Sequence, residues 1–466
     1  MESFKKRVSD YTERRLGGTV FSGKEIIRML IPFILDSLSI FLINMLITAL
    51  ISGNGEQSVA AVALVGPILS LVTCMFNGIG SGGTVVVAQS CGKNDDAIVR
   101  RASVMVIWPT VGVGLVACIP MLIFASPVLR LLYPSAEAVV LTKATTYLRG
   151  VVISVMPFTV YTAVFAVLRG MGESKKCLAL SVIINVAYLL FSILFLNVLN
   201  LDIRGTVIAL ILARVTGMLA AVFLLMRLRK GLRPGLHDLG VFDKDLFMQT
   251  LRVSIPMSLE QIFASCGGIV SEIYMAMLGT AALAANSIAN SLMGMLQVAS
   301  YAASSLAVTV AGRCFGAGKP KEARQYAYRS IILGMGVFAL MACVFYPFLP
   351  QILRIYKPTE TTAKTALFLL YLSAPMLLIF FTPANVMPSA LRSIGDNVFP
   401  SAFSLIVLWV INIFGGWVLA IPAGLGLTGV WISNWAGWII RASGYCLRFE
   451  SVSKRAILKA SVHANE

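Results

Sequence analysis

Apolar residues run along this chain in blocks too long and too uniform to alternate between two faces, and each block stops at a cluster of Gly, Pro or charge. Twelve such blocks are long enough to cross about 30 Å of hydrocarbon as helices. They cover residues 28–52, 59–88, 102–128, 144–168, 177–200, 204–227, 252–278, 281–311, 330–352, 365–391, 398–421 and 427–449. None keeps the period of two of a barrel strand, and all exceed its roughly 10 residues. The pattern predicts an all-α integral membrane protein of twelve transmembrane helices.

The second half repeats the first. Arg28, Pro32 and Asp36 match Arg252, Pro256 and Glu260; Cys91 matches Cys314, and Leu168-Arg169 matches Leu391-Arg392. SVAAVAL at 58–64 is echoed by GTAALAA at 279–285. Six helices per copy is an even number, so both copies enter the membrane from one side. The repeats are therefore parallel rather than inverted, forming two lobes around a central cleft. The expected domains are an N-terminal segment 1–27, an N-lobe 28–227, a charged linker 228–251 holding Pro234, a C-lobe 252–449 and a tail 450–466. The paired phrases GMGESKK and SIGDNVFP fall where a helix leaves the membrane, so their glycines suit helix C-caps. The preceding Arg169 and Arg392 are placed to hold lipid phosphate or the last carbonyls of the helix.

Composition agrees: of 466 residues, 58% are hydrophobic and 13% charged, with a mean hydropathy of +0.85. A formal charge of +17 invites a nucleic-acid partner, but its placement argues otherwise. With the N-terminus inside, the outer loops hold only Arg130, Lys143, Arg204, Arg354, Lys357 and Lys364, and the remaining loop cations fall inside. Both termini are thus expected in the cytoplasm, with the chain multi-pass in the cell (inner) membrane, in contact with lipid and not with nucleic acid. The basic opening, MESFKKRVSDYTERRLGG, lacks the apolar core of a cleaved signal peptide. The eight cysteines form no CxxC pair and read as small buried hydrophobes. His237 and His463 fall in polar segments, which leaves no histidine relay or metal site within the membrane.

With these features in place, the chain resembles the multidrug and toxic compound extrusion (MATE) family. The resemblance rests on LRGMGESKKCLALSVIINV, its counterpart LRSIGDNVFPSAFSLIVLWVIN, LGTAALAANSIA, AQSCGKNDDAIVRRA and AGRCFGAGKPKEARQYA, in that order over essentially the whole chain. It implies export of organic, often cationic, compounds by alternating access of two lobes, driven by H⁺ or Na⁺ entry; no enzyme activity and no cofactor are expected. A monomer is the expected working unit. The family's usual acids are missing: Ile47-Thr48, Leu189 and Ala264 stand where carboxylates are expected in helices 1, 5 and 7.

Coupling must then be sought among the ionisable residues inside the spans: Asp36, Arg149, Arg214, Glu260, Glu272 and Arg441. Asp36 and Glu260 each follow a proline by four residues and lie about 12 Å in from Arg28 and Arg252. Glu272 is about 18 Å further along helix 7 and about 120° around it, and its repeat equivalent is Thr48. A carboxylate in a partly dehydrated cavity can hold a proton, Na⁺ or an organic cation by turns. Glu260, Glu272 and Asp36 are the cation or proton candidates; the competing reading pairs them with Arg149, Arg214 or Arg441 to lock helices together. Phe158, Tyr161, Asn185, Asn286, Asn290, Met293, Met295, Gln297, Phe381 and Asn385 are candidates for the substrate cavity. A lipid-linked saccharide or lipid flippase of related architecture is the alternative, disfavoured by only three arginines and no lysine well within the spans. No HExxH, GxSxG or acid cluster suggests a membrane enzyme.

Overall fold

In the computed structural model, residues 17–52, 56–134, 137–199, 201–229, 231–235, 238, 240–355 and 359–463 are described. Long helices follow one another through these residues, each on one expected span. They are α1 (Gly23–Ser52), α2 (Glu56–Gly92), α3 (Asp96–Leu132), α4 (Ala138–Gly170), α5 (Ser174–Ser192) and α6 (Asp202–Met226). The second copy supplies α7 (Lys244–Ala276), α8 (Thr280–Gly316), α9 (Pro320–Phe345), α10 (Glu360–Met376), α11 (Val398–Ile406) and α12 (Gly426–His463). Three of them widen into π turns: α5 ends in one at Ile193–Val198, α10 continues through Leu377–Phe381 into Thr382–Ser393, and α11 through Val407–Gly415 into Gly416–Ala420. Most helices overrun the apolar blocks, because polar first and last turns bond their own backbone as well as apolar ones do.

Eleven helical stretches among the described residues are long and apolar enough to cross a membrane. The expected twelfth, 427–449, lies inside α12. Its apolarity is diluted by Trp431, Trp435, Trp438, Asn434 and Arg441.

The repeat survives at the level of backbone angles. Gly172 (φ +77°) and Gly395 (φ +95°) occupy equivalent positions, as do Asn94 (φ +54°) and Gly318 (φ +70°). Behind the first pair, Glu173 N–H donates to Leu168 O (2.9 Å) and Asp396 N–H to Leu391 O (3.0 Å). These are the same Schellman closures in both copies, and the left-handed angle explains why Gly was chosen. Glu173 then pairs with Lys176 (3.4 Å), and Asp396 with Arg448 of α12 (2.7 Å).

The helices gather into two compact units. The middle unit is Leu35–Gln261; the composite unit joins the residues up to Ile34 with those from Ile262 onward. The divisions therefore fall inside α1 and α7, shortly after Pro32 and Pro256, whereas the sequence suggested the linker. The linker itself is held to α3: Arg100 Nη1 donates to Gly231 O (2.6 Å), and its Nε lies 3.6 Å from Asp238.

In the middle unit α4 packs against α2, α3 and α6. The first part of α7 joins them through small residues. A Cβ on Gly78 or Gly82 would collide with the backbone of Ser258 or Ser254. Those serines donate to Met75 O (3.2 Å) and Ile79 O (3.3 Å).

In the composite unit α8 packs against α9 and α10. Phe21, Ile26 and Phe33 join Leu306, Tyr326, Tyr445 and Phe449 in one apolar cluster. Tyr326 Oη donates to Phe21 O (2.9 Å) and Arg329 to Gly17 O (3.0 Å), which ties the start of the described chain to α9.

Candidate functional site

Phe158, Tyr161, Phe165 and Arg169 recur every three or four residues along α4, so they share one face. Phe158 stacks on Tyr161 (centroids 5.7 Å apart, planes 16° apart), and Tyr161 on Phe165 (5.8 Å, 23°). Guanidiniums close the stack at both ends. Arg214 of α6 lies 4.5 Å from the Phe158 ring centre, and Arg169 4.5 Å from that of Phe165. Rings held this way offer their electron-rich faces to cations. They form one wall of a cavity of about 480 Å³, with Asn77 of α2 and Ser181 and Asn185 of α5 on the others.

Asp36 stands against this cavity. One turn beyond Pro32 on α1, its side chain is 1% exposed, and its Oδ2 lies 3.4 Å from Nη2 of Arg169. The Ser181 hydroxyl is a side-chain hydrogen-bonding neighbour of Asp36, whereas Asn185 Nδ2 is buried and has no hydrogen-bond partner among the described residues. Enclosed polar atoms are rarely left so. The arrangement suits a small cation or proton carrier: a carboxylate oxygen and a hydroxyl as ligands, with a guanidinium as rival for the negative charge.

The ion pair corrects two expectations. Asp36 pairs with none of Arg149, Arg214 and Arg441; its partner is Arg169, which the sequence assigned to lipid phosphate or helix carbonyls. Arg214 instead donates to Ser154 Oγ (2.8 Å), and Arg441 Nε to Gly437 O (3.3 Å). The signal for Arg169 was present in the sequence as the last member of the 158, 161, 165, 169 face. Reading it needed the rotation of α4 relative to α1, which spacing within one helix does not supply.

The other candidates are more dispersed. Phe158, Tyr161 and Asn185 line the Arg169 cavity together. Glu260 is half-buried and Glu272 exposed. Thr48 lies in α1 with its side chain outside those described, and His237 and the side chain of His463 likewise lie outside them. In the composite unit Asn286 is buried and accepts from Trp431 Nε1 (3.0 Å). Asn385 Nδ2 donates to Phe381 O within its own helix (2.9 Å), and Gln297 accepts from Tyr301 Oη (3.4 Å). Phe381 sits edge-on between Tyr301 and Trp438. Met293 is packed in the core with Met295 against it, and Asn290 is exposed. No group of three His, Cys, Asp or Glu side chains able to hold a metal comes together among the described residues.

A family model described as MatE matches residues 32–195 and again 256–418, one match per repeat. The chain is 26% identical over 434 residues to the "Probable multidrug resistance protein YoeA" of Bacillus subtilis, covering 88% of this chain and 92% of that one. It is 23% identical to the "Probable multidrug resistance protein NorM" of Thermotoga maritima, covering 93% and 94%. Among solved structures, an outward-facing multidrug resistance MATE transporter of the MOP superfamily superposes with a TM-score of 0.85 at 20% identity, over 92% of this chain and 96% of that one. A MATE structure in complex with MaL6 gives 0.85 at 19%, over 92% and 97%. At such identities the superpositions speak for the two-lobed fold alone.

Proposed function

The chain belongs to the MATE family of multidrug efflux transporters, and on that premise we propose that it exports organic cations by alternating access, in antiport with entering H⁺ or Na⁺. The observation that carries this reading is the buried Asp36 carboxylate, 3.4 Å from Arg169 and neighboured by the Ser181 hydroxyl, beside a cavity walled by stacked rings. Occupation of Asp36 by a proton or Na⁺ weakens its hold on Arg169. The guanidinium then moves relative to the Phe165 face, altering the electrostatics offered to a cationic substrate. Coupling follows because the two cations draw on one negative charge. Glu260 and Glu272 are proposed as auxiliary acids on α7. The distribution of Lys and Arg supports cytoplasmic termini, and a single chain is proposed as the working unit.

The test is extrusion of a cationic dye from vesicles under independently imposed H⁺ and Na⁺ gradients. Wild type is expected to follow one gradient, and Asp36→Asn to lose that dependence while keeping its fold. Undiminished gradient-driven extrusion by Asp36→Asn, Glu260→Gln and Glu272→Gln alike overturns the assignment.

A further inference from the structure

Arg130, one of the few cations that the sequence leaves on the side opposite the termini, and Arg149, one of the few inside a span, line one groove. Arg130 closes the last turn of α3, and Arg149 lies eleven residues into α4, about 16 Å from its start. The groove, about 660 Å³, is lined between them by Ser126, Thr142, Thr145 and Thr146, and Glu137, the acid nearest in sequence, is not part of its wall. Thr142, Thr145 and Arg149 lie on one face of α4 by spacing, so the groove is built into the helix rather than gathered from loops. Both arginines are exposed, and neither has an ion-pair partner among the described residues. Positive-inside pressure disfavours Arg130 here and burial in hydrocarbon disfavours Arg149, so their sharing of one groove calls for a cause other than topology.

The hydroxyls narrow the ligand. Thr142, Thr145 and Thr146 each donate to the carbonyl four residues back, at 2.8, 2.8 and 3.0 Å. Their protons are therefore spent, and what they offer the groove is lone pairs. Guanidiniums favour an anion that offers two oxygens to one edge, as a phosphodiester does, and hydroxyls with spent protons favour a donor beside it. We infer that this groove binds the phosphodiester headgroup of a glycerophospholipid, with Arg130 and Arg149 on the phosphate and the threonines accepting from hydroxyls of the headgroup. Phosphatidylglycerol satisfies both requirements and carries net negative charge. Phosphatidylcholine has the phosphate but no headgroup donor, and inorganic phosphate has no tails to lie along the exposed apolar flank of α3, where Val116, Ile119 and Ile123 stand. Placement in the outer leaflet rests on the proposed orientation, whereas binding itself does not.

Native mass spectrometry of the full chain in mild detergent, titrated with dioleoyl phosphatidylglycerol or phosphatidylcholine, tests this. Phosphatidylglycerol adducts are expected to be retained preferentially. In Arg130→Gln/Arg149→Gln their affinity should fall roughly 30-fold, as the loss of two surface arginines implies. Arg130→Lys/Arg149→Lys should keep most of the binding, and Thr142→Val/Thr146→Val should narrow the preference over phosphatidylcholine. The lysine and valine variants keep the test decisive if the glutamine variant misfolds. Equal retention by the glutamine variant, or by phosphatidylcholine, overturns the inference. Displacement of bound lipid by millimolar inorganic phosphate overturns it too, since that assigns the groove to a soluble anion. Dye extrusion is not read, so failure here leaves the Asp36 reading untouched, and the converse holds.

Discussion

Arg169 and Arg392 follow the same leucine and precede equivalent left-handed glycines, yet their guanidiniums have gone to different places. Arg169 meets the buried carboxylate of Asp36 and lies over Phe165, whereas Arg392, itself 7% exposed, donates to Ser401 Oγ (3.2 Å). The surroundings diverge in the same sense. The middle unit brackets a stack of Phe and Tyr between two arginines. In the composite unit Phe381 and Trp438, the repeat equivalents of Phe158 and Arg214, meet edge-on instead (5.1 Å), and nearer the start of α12 the indole N–H groups of Trp431 and Trp435 donate to the neutral Asn286 and Ser373. Duplication has kept the backbone closures, which only a few residue types can make, and released the side chains. The arginine is kept in both copies, but Arg169 meets a carboxylate whereas Arg392 donates to a neutral hydroxyl.

The sharpest way to break that contrast is Arg169→Gln. It strips the countercharge from a carboxylate that is 1% exposed, which costs about 3–5 kcal/mol when a buried pair is broken from one side. Thermal unfolding in detergent should show the loss, and Asp36→Asn/Arg169→Gln should recover most of it. In the composite unit, Trp431→Phe leaves the buried Asn286 without its donor for about 1–3 kcal/mol, read in the same melts, with the gradient dependence of dye extrusion unchanged. Gly172→Ala and Gly395→Ala should each cost about 1–2 kcal/mol, because both impose a side chain on the left-handed region. Equal losses would show that the two closures remain interchangeable.

The smallest effect belongs to Glu450 on the polar end of α12. The Tyr328 hydroxyl that donates to it (2.7 Å), aided by Arg324, holds its carboxyl below the ordinary 4.5. A depressed folded-state pKa stabilises above the unfolded value and loses that contribution as pH falls through the folded one. Melting temperatures of wild type and Glu450→Gln should therefore converge as pH drops below about 4.5, and salt should shrink the gap at neutral pH.

The helices and the duplication were legible because both are written locally, in block length and in residues that fix backbone angles. Pro32, Gly172 and Gly395 do the same work whatever surrounds them. The site was legible in its members but not in its pairings. Asp36 stood out as an acid in an apolar span, and Tyr161 and Asn185 as polar groups in others. That Arg169 would meet Asp36 depends on how α1 and α4 are turned, a property of packing across 133 residues of chain. Glu272 attracted attention by the same rule as Asp36, since hydropathy marks a charge without telling an enclosed one from an exposed one. The unit boundary was hidden for a related reason: Pro- and charge-rich composition marks a surface linker, but continuous helices carry the chain from one unit to the other.

That passage inside α1 sets a timetable for assembly. Leu35–Gln261 is complete when Gln261 has been synthesised, and can close at once. Phe21, by contrast, waits for Tyr326, its hydrogen-bonding partner 305 residues later. At about 5–20 residues per second this is an interval of roughly 15–60 s. The apolar face of Phe21, Ile26 and Phe33 must meanwhile be sheltered by lipid or by the insertion machinery, so a ribosome stalled soon after Gln261 would leave a finished middle unit with an unmated leading end.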